Sequence, residues 1–196
     1  MNENTQDEFP LSLTKDIQGT RRLAREKTLQ ILYAHQISGV SIDDLYKHIM
    51  NRNFNFGDDI VEIKEKRLLK PSEVQEMEAD VPIIWEEEEV IFISDLVKKS
   101  LENKEYIESL LRDHSKHWEF DRIAIIDRLI MIMSITELMY FELVPAKVTI
   151  NEAIEIAKRF STDKSNSFIN GLLDRLSKKL RKEGKIIKKG KGLIDH

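Results

Sequence analysis

The most hydrophobic stretch of the chain runs from Arg122 to Phe141 and is apolar on nearly every side. Its apolar positions are Ile123, Ile125, Ile126, Leu129, Ile130, Met131, Ile132, Met133, Ile135, Leu138 and Met139. A helix that is hydrophobic all round is typical of the centre of a protein. The charged residues that interrupt it are Asp121, Arg122, Asp127, Arg128 and Glu137. These charges argue against membrane insertion, so we predict a central buried helix.

Two amphipathic helices are predicted within Val144–Leu180, separated by the polar segment Ser161–Asp163. The first has apolar residues at helical spacing at Ile150, Ala153, Ile154, Ala157 and Phe160. The second has them at Ile169, Leu172, Leu173, Leu176 and Leu180. Thr149, followed three residues later by Glu152, matches a capping box and predicts that the first helix begins there. Because the connection is so short, the two helices should pack as a pair.

Gly171 lies inside the helical pattern of the second helix. Glycine in a helix interior costs about 1 kcal/mol relative to alanine. Two explanations are open. Either another helix approaches closely over the missing side chain, or the helix tolerates one unfavourable residue.

The first half of the chain predicts four more helices. Thr20 is a candidate cap for a first helix that runs to about Ser38. Ser41 is a candidate cap for a second helix. The inner face of the first helix comprises Ala24, Thr28, Ile31, Leu32 and His35. The patterns over Val90–Ser100 and Asn103–Leu111 predict the other two helices.

These elements predict an all-α protein of two packed three-helix sub-bundles that share the Arg122–Phe141 helix as their spine. We expect residues 1–19 to be a loosely ordered N-terminal extension. Residues 20–180 should form a single helical domain. Residues 181–196 form a basic C-terminal tail, which we expect to be disordered and which could add non-specific affinity for phosphate.

Composition narrows the functional classes. Hydrophobic residues make up 41% of the chain and charged residues 34%, which suits a soluble domain with a real core. The net charge is −4, which argues weakly against a generic nucleic-acid binder, although the charges are segregated along the chain. There is no cysteine, and the N-terminus does not match a signal peptide. We therefore expect a cytoplasmic protein without disulfides.

No catalytic motif is evident. The sequence lacks a glycine-rich phosphate loop, a GxSxG elbow and an HExxH pair. His114 and His117, with Asp113 and Asp121 nearby, could hold a metal, but they lack the convergent ligands of established sites. A polar connector is the simpler interpretation. We predict neither an enzyme, nor a metal site, nor a cofactor.

The first turns of the first helix are basic, with Arg21, Arg22, Arg25 and Lys27. Cations at a helix N-terminus oppose the helix dipole, each at a cost of about 0.3–1 kcal/mol when exposed. An external anion such as phosphate would explain their position, because arginine forks match phosphate geometry. The alternative is a solvated basic face with Glu26 as a partner.

Three blocks of sequence, in order, resemble the NusB family. They are RRLAREKTLQILYA near the front, IDRLIMIMSITEL in the middle, and VTINEAIEIAKRF followed by FINGLLD. The resemblance covers Arg21–His35 and roughly Val90–Leu180. It implies a NusB-like topology, in which residues of about 53–86 are an insertion, either helical or a mobile loop. Within it, the apolar segment Val81–Trp85 should pack against the domain.

The resemblance also implies a function. NusB proteins are transcription antitermination factors that pair with NusE, a small-subunit ribosomal protein, and bind boxA-type RNA in ribosomal RNA transcription. The residues that would contact RNA are Arg21, Arg22, Arg25, Lys27, Tyr33, Lys164 and Phe168. Asp127 and Arg128 would face NusE. From the residues alone, a structural ion pair at an exposed helix margin explains Asp127 and Arg128 equally well. Ordinary half-buried packing likewise explains Tyr33 and Phe168.

Two departures from the family pattern affect the RNA surface: Leu23 replaces a residue that is often basic, and Lys164 replaces an acid. The partners implied are boxA-type RNA, NusE and the transcription elongation complex, with a homodimer as an open alternative and no membrane. Two other functions remain open. One is a helical protein–protein adaptor without an RNA role, and the other is an RNA-binding domain related to ribosomal-RNA cytosine methyltransferases.

Overall fold

The computed structural model describes residues 17–51, 83–114 and 120–194, without the side chains of Asn51 and Asp121. The helices of this part are α1 (Arg21–Ser38), α2 (Ile42–Asn51), α3 (Glu87–Glu102), α4 (Lys104–His114), α5 (Ile125–Tyr140), α6 (Ala146–Phe160) and α7 (Asp163–Lys182). Two 3₁₀ turns span Phe120–Arg122 and Gly190–Leu193. The strands β1 (Ile17–Gln18) and β2 (Ile83–Ile84) form a short parallel pair. The all-α prediction is confirmed.

Helix α5 is the spine of the molecule. It packs against α1, α3, α6 and α7, and less extensively against α4. Its largest fully buried side chains are Ile130, Met131, Ile132, Met133, Ile135 and Leu138. The predicted central buried helix is confirmed, although it begins at Ile125, after the first 3₁₀ turn. Among the described residues, no helix has the length and apolarity needed to cross a membrane.

Both ends of α1 are as the sequence predicts. The Leu23 N–H donates to the Thr20 side-chain oxygen at 3.2 Å, so Thr20 caps the helix. At the other end Gly39 has a φ of 69° and donates its N–H to the His35 carbonyl. Glycine reaches this left-handed conformation without strain, which explains why the helix ends there.

The predicted start of α6 is wrong. The helix begins at Ala146, after Pro145, and Thr149 already donates its backbone N–H to the Pro145 carbonyl. Proline is well suited to this position because its backbone has no N–H to leave unpaired. The side chains of Thr149 and Glu152 therefore do not cap the helix. Both reach other helices instead.

Helix α7 has the predicted buried stripe, because Ile169, Leu172, Leu173, Leu176 and Leu180 are all in the core. Gly171 lies on the exposed side, and a Cβ built on it would have no atom within 4 Å. None of the described helices therefore packs closely over Gly171. Of the two explanations, simple tolerance of one unfavourable residue is the correct one.

The C-terminal tail is ordered through residue 194, so the expected disorder is wrong. After α7 the chain turns back, and the Lys189 N–H donates to the Glu142 carbonyl at 2.9 Å. The Lys188 ammonium donates to the Phe141 carbonyl at 3.0 Å, at the C-terminal end of α5. Helix C-termini have unpaired carbonyls and a partial negative charge, which a lysine satisfies. Ile186 is buried beside this contact.

The expectations for residues 1–16 and 52–82 lie outside the described residues. The described ends of these segments are the paired strands β1 and β2. Trp85 follows β2 and packs partly buried against the core. A Cβ on Gly19 would lie 2.4 Å from the Trp85 ring, so the chain passes closely over this side chain. The expectation that the Trp85 region packs against the domain is confirmed for Trp85 itself.

Candidate nucleic-acid interface

Each of the three arginines at the start of α1 has a carboxylate partner on another helix. Arg21 lies 3.2 Å from Glu89 of α3, and Arg22 lies 2.8 Å from Glu152 of α6. Helix α1 itself has no acidic residue in its first turn, as the sequence indicates. The fold therefore supplies internal counter-charges for these arginines, and their contact with an external anion stays a prediction. The neutralising groups are distant in sequence and come together only in the fold.

Arg25 belongs to the core. Its guanidinium donates to both carboxylate oxygens of Glu137 in α5, at 2.6 and 2.8 Å, and the two side chains are 4% and 1% exposed. Thr149 of α6 donates to the same carboxylate at 2.9 Å. This buried cluster ties three helices together. The expectation that Arg25 faces an external phosphate is wrong, because the bidentate pair with Glu137 occupies its guanidinium.

Lys27 is also buried, and its ammonium donates to the Gln30 side chain at 2.9 Å. The predicted cluster of four solvent-facing cations is thus reduced to two. Arg21 and Arg22 remain partly exposed, the Arg22 side chain at 54%. Arg21 also stacks over the Phe92 ring, with its guanidinium 4.3 Å from the ring centroid. A stacked guanidinium keeps its outer N–H groups available for an anion.

The Arg22–Glu152 pair is bidentate, with N–O distances of 2.8 and 2.9 Å. The hydrogen bond from Arg22 lowers the pKa of the Glu152 carboxyl, and the nearby charge of Arg25 lowers it further. The same contact raises the pKa of the Arg22 guanidinium. Both groups are therefore charged at neutral pH. A carboxylate in this position satisfies the arginine fork as a phosphate would.

A second ion pair connects the same two helices further along. Arg159 of α6 contacts Glu26 of α1 at 2.5 Å. The two ion pairs, Arg22–Glu152 and Arg159–Glu26, therefore connect α1 and α6 in the same chain order. Lys164, the second residue of α7, is exposed, and no described group pairs with its ammonium.

The two predicted aromatic contacts differ in exposure. Tyr33 is 40% exposed on α1, twelve residues and therefore roughly 18 Å along the helix from Arg21. Phe168 is half-buried on α7 and packs against the core. Tyr33 therefore has a free ring surface, whereas much of the Phe168 ring serves packing. Their roles in RNA binding stay predictions.

Asp127 is buried, not at an exposed margin as predicted. It accepts hydrogen bonds from the hydroxyls of Ser161 and of Ser165, the latter at 2.7 Å. It thus fixes the junction between α6 and α7. Arg128 does not pair with it, since its guanidinium lies 5.3 Å from the Phe120 ring centroid and 4.0 Å from Glu108. The predicted ion pair between the neighbours is wrong, because adjacent residues on a helix point in different directions.

The candidate metal ligands do not come together in the described part of the chain. His114 makes contacts of 2.8 Å with the Leu110 carbonyl and 3.2 Å with the Lys179 ammonium. No group of three potential metal ligands is present among the described residues, which exclude His117 and the Asp121 side chain.

Sequence reasoning missed the carboxylates that surround α1. Glu89 and Glu152 look like a solvated helix start and a cap, and nothing in their local spacing relates them to arginines more than sixty residues away. Lys147 was also missed, although it is exposed beside the start of α6. Such relationships follow from packing and not from periodicity.

The comparison with protein families decides the assignment of the chain. The model of the NusB family matches residues 22–178. The chain belongs to the NusB family. A transcription antitermination protein NusB of Chloroherpeton thalassium is 35% identical over 176 residues, which is 90% of this chain and 70% of the relative. The NusB of Thermodesulfovibrio yellowstonii is 34% identical over 158 residues, which is 81% of this chain and 91% of the relative.

Solved NusB structures share the fold. T. maritima NusB matches with a TM-score of 0.60 and 23% identity, over 83% of this chain and 93% of that protein. A crystal structure of NusB and NusE in complex with double-stranded RNA matches with a TM-score of 0.53 and 18% identity, over 81% of this chain and 96% of that one. The NusB-like topology predicted from the sequence is confirmed.

Proposed function

We propose that this NusB protein is an RNA-binding transcription antitermination factor that pairs with NusE and binds boxA-type RNA. The observation that carries the proposal is the exposed guanidinium pair of Arg21 and Arg22 at the start of α1, on a chain whose relatives are antitermination proteins. One structural neighbour is a complex of NusB, NusE and RNA, which supports both partners.

Arg21 and Arg22 provide the phosphate contacts in this proposal. Lys164 adds a cation at the start of α7, and the exposed ring of Tyr33 offers a surface for an unstacked base. Arg25 and Lys27 support the fold of α1 and do not contact the RNA. The RNA-binding set is therefore smaller than the one the sequence suggests.

The NusE surface that we propose centres on Arg128, with Arg112 beside it. Both guanidiniums lie over the Phe120 ring, at 5.3 and 4.3 Å from its centroid. Two arginines on an aromatic side chain form a compact patch of the kind enriched in protein interfaces. Asp127 contributes indirectly, by holding the helix junction behind this patch.

The test is a gel shift with boxA-type RNA, with and without NusE. The proposal predicts binding that NusE strengthens, weaker RNA binding by Arg22→Gln, and loss of the NusE effect in Arg128→Glu. A single-stranded RNA of scrambled sequence is the control for the boxA preference.

The rival function is a helical adaptor without an RNA role. The observation that favours it is that each α1 arginine already has a carboxylate partner. An adaptor would bind NusE without RNA, and neither Arg21→Gln nor Arg22→Gln would change any RNA affinity.

A further inference from the structure

A cleft of about 990 Å³ lies where the start of α1, the connector between α5 and α6, and the C-terminal segment meet. We name it the tail cleft. Arg21 and Arg22 line it from α1, Lys147 from α6, and Lys191 and Ile194 from the C-terminal segment. The C-terminal segment therefore forms one wall of a space that begins at the candidate RNA surface.

Two lysines of the tail cleft have no internal counter-charge in the described part of the chain. Lys147 and Lys191 are exposed, and among the described residues no carboxylate pairs with either ammonium. The other basic residues of the lining, Arg21, Arg22 and Arg25, each pair with a carboxylate, so Lys147 and Lys191 supply the uncompensated positive charge. The charge of the cleft is thus complementary to an anion, in a protein whose net charge is −4.

Apolar side chains lie beside these cations. Leu143 and Val148 are 67% and 41% exposed, and Ile194 is 52% exposed. All three line the tail cleft. Exposed apolar groups next to cations suit a ligand that has both a flat apolar part and phosphates, as an unstacked nucleotide does.

We propose that the tail cleft binds one or two nucleotides of single-stranded RNA. Lys147 and Lys191 contact the phosphates, and the apolar wall contacts the bases. The inference rests on the proposed RNA-binding function and adds the C-terminal segment to the binding site. RNA is favoured over an acidic peptide because the cleft continues from the proposed RNA surface at Arg22 and because its exposed apolar wall suits an unstacked base.

The position of Lys191 depends on how tightly the C-terminal segment is docked. A Cβ on Gly192 would lie 2.0 Å from the Glu142 carbonyl oxygen, so only glycine permits this approach. Gly192→Ala should therefore lift the segment away while leaving every charge in place. Gly171→Ala is the matched control, because a Cβ there meets no atom within 4 Å.

The experiment measures the binding of a fluorescein-labelled boxA-type single-stranded RNA to the full chain by anisotropy, over a range of salt concentrations. The variants are Lys147→Gln, Lys191→Gln and Gly192→Ala. Lys98→Gln is the charge control, since Lys98 is exposed on α3 outside the tail cleft and has no partner in the described part of the chain. Each variant is checked for an unchanged helical circular dichroism spectrum.

Loss of one phosphate contact should reduce affinity about fivefold at 0.1 M salt and make the negative slope of log affinity against log salt shallower by about 0.7. We expect this for Lys147→Gln and Lys191→Gln, and a similar loss of affinity for Gly192→Ala. Lys98→Gln and Gly171→Ala should bind as the parent does.

Two results would overturn the inference. In the first, Lys147→Gln, Lys191→Gln and Gly192→Ala bind RNA with the affinity and salt slope of the parent, while Arg22→Gln binds it more weakly. The protein would then bind RNA, but outside the tail cleft. The other is displacement of the RNA by a poly-glutamate peptide of equal charge at equal concentration, which assigns the cleft to acidic peptides. A parent that binds no RNA at all would instead contradict the proposed function itself.

Discussion

Glu137 accepts two hydrogen bonds from Arg25 across the interface of α1 and α5, and both side chains are almost completely buried. The two residues are 112 positions apart in the sequence. A third hydrogen bond comes from Thr149 of α6. The cluster is thus a cross-link between helices of both halves of the molecule. It explains the position of Arg25 in the basic first helix without any external ligand.

Glu137→Gln should strongly destabilise the fold, because it leaves the buried Arg25 charge without its counter-charge. Breaking a buried ion pair by changing one partner typically costs about 3–5 kcal/mol. Urea unfolding followed by circular dichroism would measure the loss. Arg22→Gln is the control, and it should cost less than about 1 kcal/mol because the Arg22 side chain is 54% exposed and solvent screens its charge. Equal losses in the two variants would contradict the distinction between core and surface arginines.

Glu152→Gln should increase RNA affinity. The Glu152 carboxylate occupies the Arg22 fork with two hydrogen bonds, so RNA phosphate must compete with it. Glutamine removes the competing charge and leaves a side chain of similar shape. We expect affinity to rise several-fold, since a charged hydrogen bond typically contributes about 1.5–3 kcal/mol and glutamine retains part of it. Glu155→Gln on the same helix is the control for a general change in charge. A Glu152→Gln variant that binds RNA more weakly than the parent would refute the competition.

The ion pair between Arg22 and Glu152 makes the stability of the fold depend on pH. The folded-state pKa of the Glu152 carboxyl is lowered, so its contribution is fully present above the unfolded-state pKa of about 4.3. That contribution is lost as the pH falls through the folded-state pKa. The free energy of unfolding of the parent should therefore exceed that of Glu152→Gln at pH 7, and the difference should shrink below about pH 4. Urea titrations at pH 7, 5, 4 and 3 would show this. A difference that stays constant down to pH 3 would exclude the effect.

Gly171→Ala should stabilise the protein by about 1 kcal/mol. Gly171 is an exposed helix-interior residue without a positive φ, and its missing Cβ would meet nothing within 4 Å. Alanine therefore gains helix propensity without a clash. Thermal unfolding would measure the change. Gly39→Ala is the contrasting variant, since Gly39 has a φ of 69° and alanine there should destabilise. A loss of stability in Gly171→Ala would mean that something packs against this face.

The periodic parts of the fold could be predicted from the sequence. The buried stripe of α7 and the cap at Thr20 follow from side-chain spacing and local hydrogen bonding, which neighbouring residues determine. The start of α6 could not be predicted, because Thr149 and Glu152 match a capping box locally but bind Glu137 and Arg22 in the fold. Local patterns contain no information about partners on other helices, whether 12 residues away, as for Thr149, or 130 residues away, as for Glu152.

The candidate site was predictable only in part, for the same reason. The basic start of α1 is visible in the sequence, but the burial of Arg25 depends on α5 and α6 packing over it. The burial of Asp127 likewise depends on the Ser161–Ser165 turn lying against α5. The sequence of the C-terminal segment predicts a disordered basic tail. The segment docks because the fold brings the carbonyls at the end of α5 beside its lysine, which the sequence does not indicate.

The most direct test of the account is the salt dependence of boxA-type RNA binding by the parent and by Arg22→Gln, with the urea midpoint of each measured in parallel. The account predicts that Arg22→Gln makes the negative slope of log affinity against log salt shallower by about 0.7. The urea midpoint should stay close to that of the parent. Identical slopes and affinities in the two proteins would contradict it, because the exposed guanidinium at the start of α1 would then contact no phosphate.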